Sequence, residues 1–136
     1  MKTLTIFTPA YNRAYCLDRC YKALKRQTNK DFDWLIIDDG STDNTRELVQ
    51  SWIDKQDNGF EIRYIYKENG GLHTAYNEAI ANMDTELSMC IDSDDFPPDV
   101  LFRSVHRLRH ASRCHFSDCG PHNMHRSPAV GCFLAG

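Results

Sequence analysis

The 136-residue chain has no apolar run approaching the roughly 20 residues a membrane-spanning helix needs. It also has no signal-peptide core followed by a cleavage site. Met1-Lys2 leads directly into a short alternating run that ends at Pro9, so a cytoplasmic location is the expectation. None of the six cysteines stands in a Cys-x-x-Cys pair, which removes a dithiol redox motif. Internal repeats and low-complexity stretches are missing, which excludes solenoids and repeat arrays. Lysine does not occur after Lys67, and the first strand ends in Thr-Pro rather than in acids. Both gaps argue against a phosphoacceptor signalling domain, where acids follow the first strand and a lysine follows a later one.

What is present is an ordinary globular composition, 41% apolar and 26% charged, in a chain long enough for one domain with its own core. The net charge of −3 conceals a break. Residues 1–102 carry eleven Lys and Arg against eighteen Asp and Glu, whereas residues 103–136 carry five Arg against one Asp and hold five of the six histidines. Cys16 and Cys20 lie four apart in a helical pattern, and Cys90 sits in an apolar strand. These three read as buried thiols in a reducing compartment.

Hydrophobic periodicity predicts alternating strands and helices. Leu4 to Thr8 is a β-rich run stopped by Pro9, and Leu17, Cys20, Tyr21 and Leu24 follow helical spacing. Trp34 to Ile37 is a continuous apolar run, as in a strand covered on both faces, and Asp38-Asp39-Gly40-Ser41 is a turn. Asn44-Thr45-Arg46-Glu47 fits a capping box ahead of a stripe of Leu48, Val49, Trp52 and Ile53. Ile62, Tyr64 and Tyr66 alternate as a third strand. Leu72, Ala75, Tyr76, Ala79 and Ile80 repeat as a third helical stripe, and Leu87 to Ile91 is a fourth strand. The order βαβαβαβ implies a Rossmann-like open, mostly parallel sheet with helices on both faces. Ligands of such sheets sit beyond the carboxyl ends of the strands, where four unusual loops fall.

Each loop has a bland and a chemical reading. In Thr8-Pro9-Ala10-Tyr11-Asn12-Arg13, Pro9 stiffens the turn, Tyr11 offers a flat face for a base and Arg13 can meet phosphate; a plain strand-to-helix turn would look similar. Asp38 to Asp43 crowds four capping-type side chains into one loop, more than one helix needs. There Asp39 suits a uracil imide or a ribose hydroxyl. Asn69-Gly70-Gly71-Leu72-His73 pairs two glycines with a helix start, where backbone N–H groups can approach an anion; it is also an ordinary loop before a helix. Asp92-Ser93-Asp94 follows the fourth strand, and in extended backbone residues i and i+2 share a side. Two hard carboxylates there suit Mg²⁺ or Mn²⁺.

Taken together in order, spacing and strand context, the TPAYNR, DDGSTD, NGG-x-HTA-x-N and DSDD series resembles the family 2 glycosyltransferases of GT-A fold, from residue 3 to about 101. Bacterial members carry the same series. The resemblance implies transfer, with inversion, of a sugar from a nucleotide-sugar donor, most often UDP-linked, to a saccharide or lipid-linked acceptor, as in polysaccharide biosynthesis. By the same resemblance Pro9, Ala10, Tyr11, Asn12, Arg13, Asp39, Asn69, Gly70, Gly71, His73, Asp92 and Ser93 border the nucleotide. Asp94, with Asp92, is the expected ligand of Mn²⁺ or Mg²⁺. Leu72 departs from the pattern, since such enzymes often carry Lys there.

One folded part and a tail are therefore expected. Residues 1–102 form the nucleotide-sugar-binding half, and residues 103–136 form a basic Cys/His-rich tail, irregular or disordered, in place of the acceptor half and its catalytic base. A Zn²⁺ site from Cys114, Cys119, His122 and His125 would have spacings unlike common structural zinc patterns. A nucleic-acid surface lacks an aromatic platform, so no nucleic-acid partner is expected. The competing function is a nucleotide-binding module that transfers nothing. A cytoplasmic position, at the inner face of the membrane where the acceptor is lipid-linked, completes the expectation.

Overall fold

The computed structural model describes residues 3–85, 87–95 and 130–134. Its centre is β1 (Leu4–Ala10), whose every residue is buried. Parallel partners flank it: β2 (Phe32–Asp39) on one side and β4 (Leu87–Ile91) on the other. β3 (Glu61–Lys67) extends the sheet beyond β2 in parallel, and β5 (Val130–Leu134) adds an antiparallel strand beside β4, giving the order β3-β2-β1-β4-β5. Helices α1 (Ala14–Lys25), α2 (Thr45–Lys55) and α3 (Leu72–Asn82) make the crossovers. The expected GT-A-type open sheet is therefore present.

Both faces of the sheet are covered, which is why its central strands are apolar on both sides. On one face, Leu17, Cys20, Tyr21 and Leu24 of α1 and Val49 and Trp52 of α2 pack on Ile6, Trp34, Ile36 and Met89. Tyr21 and Trp52 stack at 4.2 Å with planes 11° apart, and Trp34 lies 5.8 Å from Trp52. The Trp34 Nε1–H donates to Thr8 Oγ1 at 2.9 Å, so the buried indole is satisfied. On the other face, Ala75 and Ala79 of α3 pack on Phe7, Leu35, Ile37 and Cys90. Cys16, Cys20 and Cys90 are free and buried, and burial pushes the Cys20 thiol up to about 12 and Cys90 to about 11.

Several boundaries differ from the sequence reading. β1 runs through Pro9, which pairs with Ile37, because beyond Phe7 the strand has no β4 partner and a missing N–H is tolerated on a one-sided strand. Asp38 and Asp39 are the last residues of β2, paired with Tyr66 and Lys67, rather than a turn. The capping box does not form: Asn44 makes no cap bond, and Asp43 Oδ1 instead accepts from the Thr45 N–H at 3.0 Å and the Thr45 hydroxyl at 2.5 Å. In α3 the apolar stripe is narrower than its period implies, since Leu72 and Ile80 are 59% and 63% exposed. β5 places a strand inside the segment expected to be irregular; Val130-Gly131-Cys132-Phe133-Leu134 is a short, mostly apolar run that completes an edge. Residues 103–129, with the zinc ligands weighed above, lie outside the described residues.

Candidate functional site

A cleft of about 400 Å³ opens at the carboxyl ends of β1, β2, β3 and β4. The chain moves outward from β1 to β2 and β3, then returns across α3 to β4 on the other side of β1. The cleft therefore sits at the switch point where this class of sheet binds ligands. All four loops contribute: Pro9, Ala10, Tyr11 and Arg13 from the first, Asp39 from the second, Asn69 and Gly71 from the third, and Asp92, Ser93 and Asp94 from the fourth.

Asp39 is the most constrained of these groups. It is 6% exposed, and its Oδ1 accepts from Lys67 Nζ at 2.7 Å and the Gly70 N–H at 3.0 Å, while Oδ2 accepts from the Gly71 N–H at 3.0 Å. Burial is the largest single influence on its carboxyl and works upward. The Lys67 ammonium and the two amides together outweigh it and hold Asp39 below the usual carboxylate range. Asn69 Nδ2 donates to the Asp39 carbonyl at 3.0 Å, so the second and third loops form one unit. Gly40 permits this contact: its φ is +85°, and a Cβ there would lie 2.8 Å from the Asn69 amide nitrogen.

Alternation along β2 sends the preceding acid elsewhere. Asp38 is buried, accepting from the Ser41 N–H at 2.8 Å and from the Tyr64 hydroxyl. Asn12 also has a structural task. Its N–H donates to Ser41 Oγ at 2.9 Å and its Oδ1 accepts from the Thr42 N–H at 2.8 Å, which ties the first loop to the second. Tyr11, 49% exposed, and Arg13 are thereby presented to the cleft.

The fourth loop is a turn, with the Asp95 N–H donating to the Asp92 carbonyl at 3.0 Å, rather than the extended backbone the sequence suggested. The turn brings a third acid into the group: carboxylate oxygens of Asp92, Asp94 and Asp95 lie within 4.8 Å of one another. Burial, then the Asp94 carboxylate, pushes Asp92 above the usual range, with Arg13 pulling back. Burial, then Asp94 and Asp92, raises Asp95 in the same sense. Mutually repelling hard oxygens of this kind fit a divalent cation such as Mg²⁺ or Mn²⁺.

Of the residues expected around the ligand, Asn12, Gly70 and His73 do not line the cleft. Asn12 and Gly70 support it through the bonds above, and His73 is exposed on the first turn of α3. The sequence reading passed over Asp95, Lys67, and the apolar wall of Leu72 and Ala75. The Asp-x-Asp-Asp run was a visible signal for Asp95. Lys67 had no motif to mark it.

An open α/β sheet with an acid-rimmed cleft at its carboxyl edge defines a domain that binds its ligand at the switch point of the sheet. The profile of Glycosyl transferase family 2 matches residues 5–112, and the chain belongs to that family. The validoxylamine A glucosyltransferase of Streptomyces hygroscopicus subsp. jinggangensis is 38% identical over 94 residues, covering 60% of this chain and 21% of that protein. S. aureus TarS 1-349 in complex with UDP-GlcNAc superposes with a TM-score of 0.72 at 23% identity, over 82% of this chain and 32% of that one. The mannosyltransferase PcManGT from Pyrobaculum calidifontis, in complex with GDP-Man and Mn²⁺, superposes with a TM-score of 0.65 at 23% identity, over 70% of this chain and 28% of that one. The two structures speak to the fold. The chain spans less than a third of each of these three proteins. No helix among the described residues is long and apolar enough to cross a membrane.

Proposed function

We propose that this chain supplies the donor side of an inverting glycosyltransferase, which moves a sugar from a uridine diphosphate to a saccharide or lipid-linked acceptor. One observation carries the reading: Asp39 and the Asp92-Asp94 pair line the same small cleft, at the switch point of the sheet. The solved complexes with UDP-GlcNAc and with GDP-Man and Mn²⁺ support it through the shared fold. In this reading Pro9, Ala10 and Tyr11 flank the nucleoside, with the Tyr11 ring as a face for the base. Asp39 accepts from the base imide or a ribose hydroxyl. Arg13 and the Asn69–Gly71 loop border the diphosphate, with His73 at the rim, and Asp92 and Ser93 lie toward the ribose.

Asp94, Asp92 and Asp95 would hold Mn²⁺ or Mg²⁺. Such an ion, when bound, supplies Lewis acidity against the charge that builds on the departing nucleoside diphosphate. Inversion also requires a carboxylate base for the acceptor hydroxyl, a group sought downstream of residue 95 and outside the described residues. A cytoplasmic site of action, at the inner membrane face for a lipid-linked acceptor, belongs to the same proposal.

Calorimetry with UDP tests it. Binding is expected with Mn²⁺, is lost on chelation, and weakens about tenfold or more in Asp94→Ala while far-UV circular dichroism stays unchanged. Binding that ignores both the metal and Asp94→Ala removes the cation role. UDP binding without transfer to any acceptor favours the non-catalytic module instead.

A further inference from the structure

Lys67 is the last residue of β3 and sits beneath the cleft without lining it. Its ammonium has three donors, and the structure gives each an acceptor: Asp39 Oδ1 at 2.7 Å, the Glu68 carbonyl at 2.6 Å and Thr74 Oγ1 at 2.8 Å. No donor is left for a ligand. Thr74 Oγ1 in turn donates to the Gly71 carbonyl at 2.7 Å. One side chain thus joins the end of β2, the Gly70-Gly71 loop and the first turn of α3. A Cβ on Gly70 would lie 3.2 Å from Lys67 Nζ and 2.9 Å from Thr74 Oγ1, so the loop closes tightly over the ammonium.

We propose that Lys67 is a positioning residue that fixes the Asp39 carboxylate as a one-position acceptor. A carboxylate has about four lone-pair sites. Lys67 and Gly70 occupy both on Oδ1, and Gly71 takes one on Oδ2. A single acceptor position remains on a group that lines the cleft. That position accepts an N–H or O–H, and it repels a ligand edge that presents a lone pair. Lys67 therefore selects a donor-bearing edge, such as an imide, without touching it.

The assignment to a nucleoside base rests on the donor-binding reading above; the role of Lys67 toward Asp39 does not. Among the described residues, the titratable groups around Asp39 are Lys67 from β3 and Glu68 just after it, His73 on the first turn of α3, Tyr11 and Arg13 from the first loop, and Asp92 and Asp94 across the cleft, with Asp38 turned to the opposite face of the sheet. Of the charged groups among the described residues only Lys67 bonds the carboxylate directly, so its removal leaves burial opposed by the Gly70 and Gly71 amides.

The test uses the full chain, with Lys67→Met and Lys67→Gln as removals and Lys67→Arg as the conservative variant. Carboxyl ¹³C titration of Asp39 needs no ligand. Its midpoint is expected to rise in both removals and to stay low in Lys67→Arg; an unchanged midpoint overturns the proposal. Uridine, which has no phosphate to titrate and no need of metal, is then titrated by NMR between about pH 5 and 8. Wild-type affinity is expected to be flat. The removals should lose on the order of tenfold, with the loss growing as Asp39 protonates at lower pH, and Lys67→Arg should restore most of it. No loss, or a loss whose pH dependence does not follow the Asp39 midpoint measured in the same variant, also overturns the proposal, since a merely structural lysine would weaken binding equally at every pH. If the Asp39 midpoint rises but neither uridine nor UDP binds wild type, the positioning role stands and the donor-binding reading falls.

Discussion

At the end of β2, Asp38 accepts from the Ser41 amide and the Tyr64 hydroxyl, while its neighbour Asp39 lines the cleft. Period-two alternation alone separates the two tasks. A similar displacement by one residue governs the start of α2, where Asp43 rather than Asn44 receives the Thr45 N–H. Asp43 Oδ2 also accepts from the Ala14 N–H at 3.2 Å, so the same side chain serves the first turn of α1. Asp43→Ala is expected to cost about 1–2 kcal/mol in urea unfolding, and Asn44→Ala under about 0.5 kcal/mol. Burial acts upward on the Asp43 carboxyl and is the largest influence, but the Thr45 hydroxyl and backbone N–H donors hold it below the usual range. A carboxylate lowered in the folded state contributes stability that is fully present above its unfolded value and is lost as pH falls through the folded one. The cost of Asp43→Ala should therefore shrink below about pH 4.

Among the elements, the two helical faces are unequal. α1 and α2 bring Tyr21 and Trp52 onto Trp34 as a stack, whereas α3 buries chiefly Ala75 and Ala79, with the Tyr76 ring edge-on to Phe7 at 5.2 Å. Trp52→Ala should destabilise the fold by about 3–5 kcal/mol, measured by denaturant unfolding, because the stack cannot collapse around the vacated volume. Ile80→Ala, on the exposed side of α3, should change stability by less than about 0.5 kcal/mol. A comparable loss at both positions would mean that the α3 face is packed in a way the structure does not show. The light packing of α3 is consistent with its task at the cleft, where its first turn lends Leu72 and Ala75 to the wall.

For the molecule as a whole, the cleft depends on loops that are far apart in sequence, the first three of which tie one another down. Ligand occupancy should be visible as stability. UDP with Mn²⁺ at about a hundredfold over Kd is expected to add about 2.7 kcal/mol, read as a higher melting temperature. EDTA should remove the increment, and Asp94→Ala should show none of it. An increment that survives chelation would detach nucleotide binding from the acid trio.

Much of this was legible along the chain. The βαβαβαβ order followed from hydrophobic period, and the acids of the second and fourth loops followed from their position after apolar runs, because both signals are local and chemical. Boundaries were less legible where pairing decides them: Pro9 stays in β1 only because β4 has already ended beside it, and Asp38-Asp39 are strand rather than turn only because Tyr66 and Lys67 pair with them. Asn12 looked like a ligand contact and is a loop tie, since Ser41 and Thr42 approach it only after folding. Sequence by itself determined which residues could carry charge, stack or chelate, through their covalent chemistry. Which of them share one cleft, and that Lys67 binds Asp39 across 28 residues of chain, was decided by tertiary structure alone, because a side chain's partners depend on distances that no local pattern encodes.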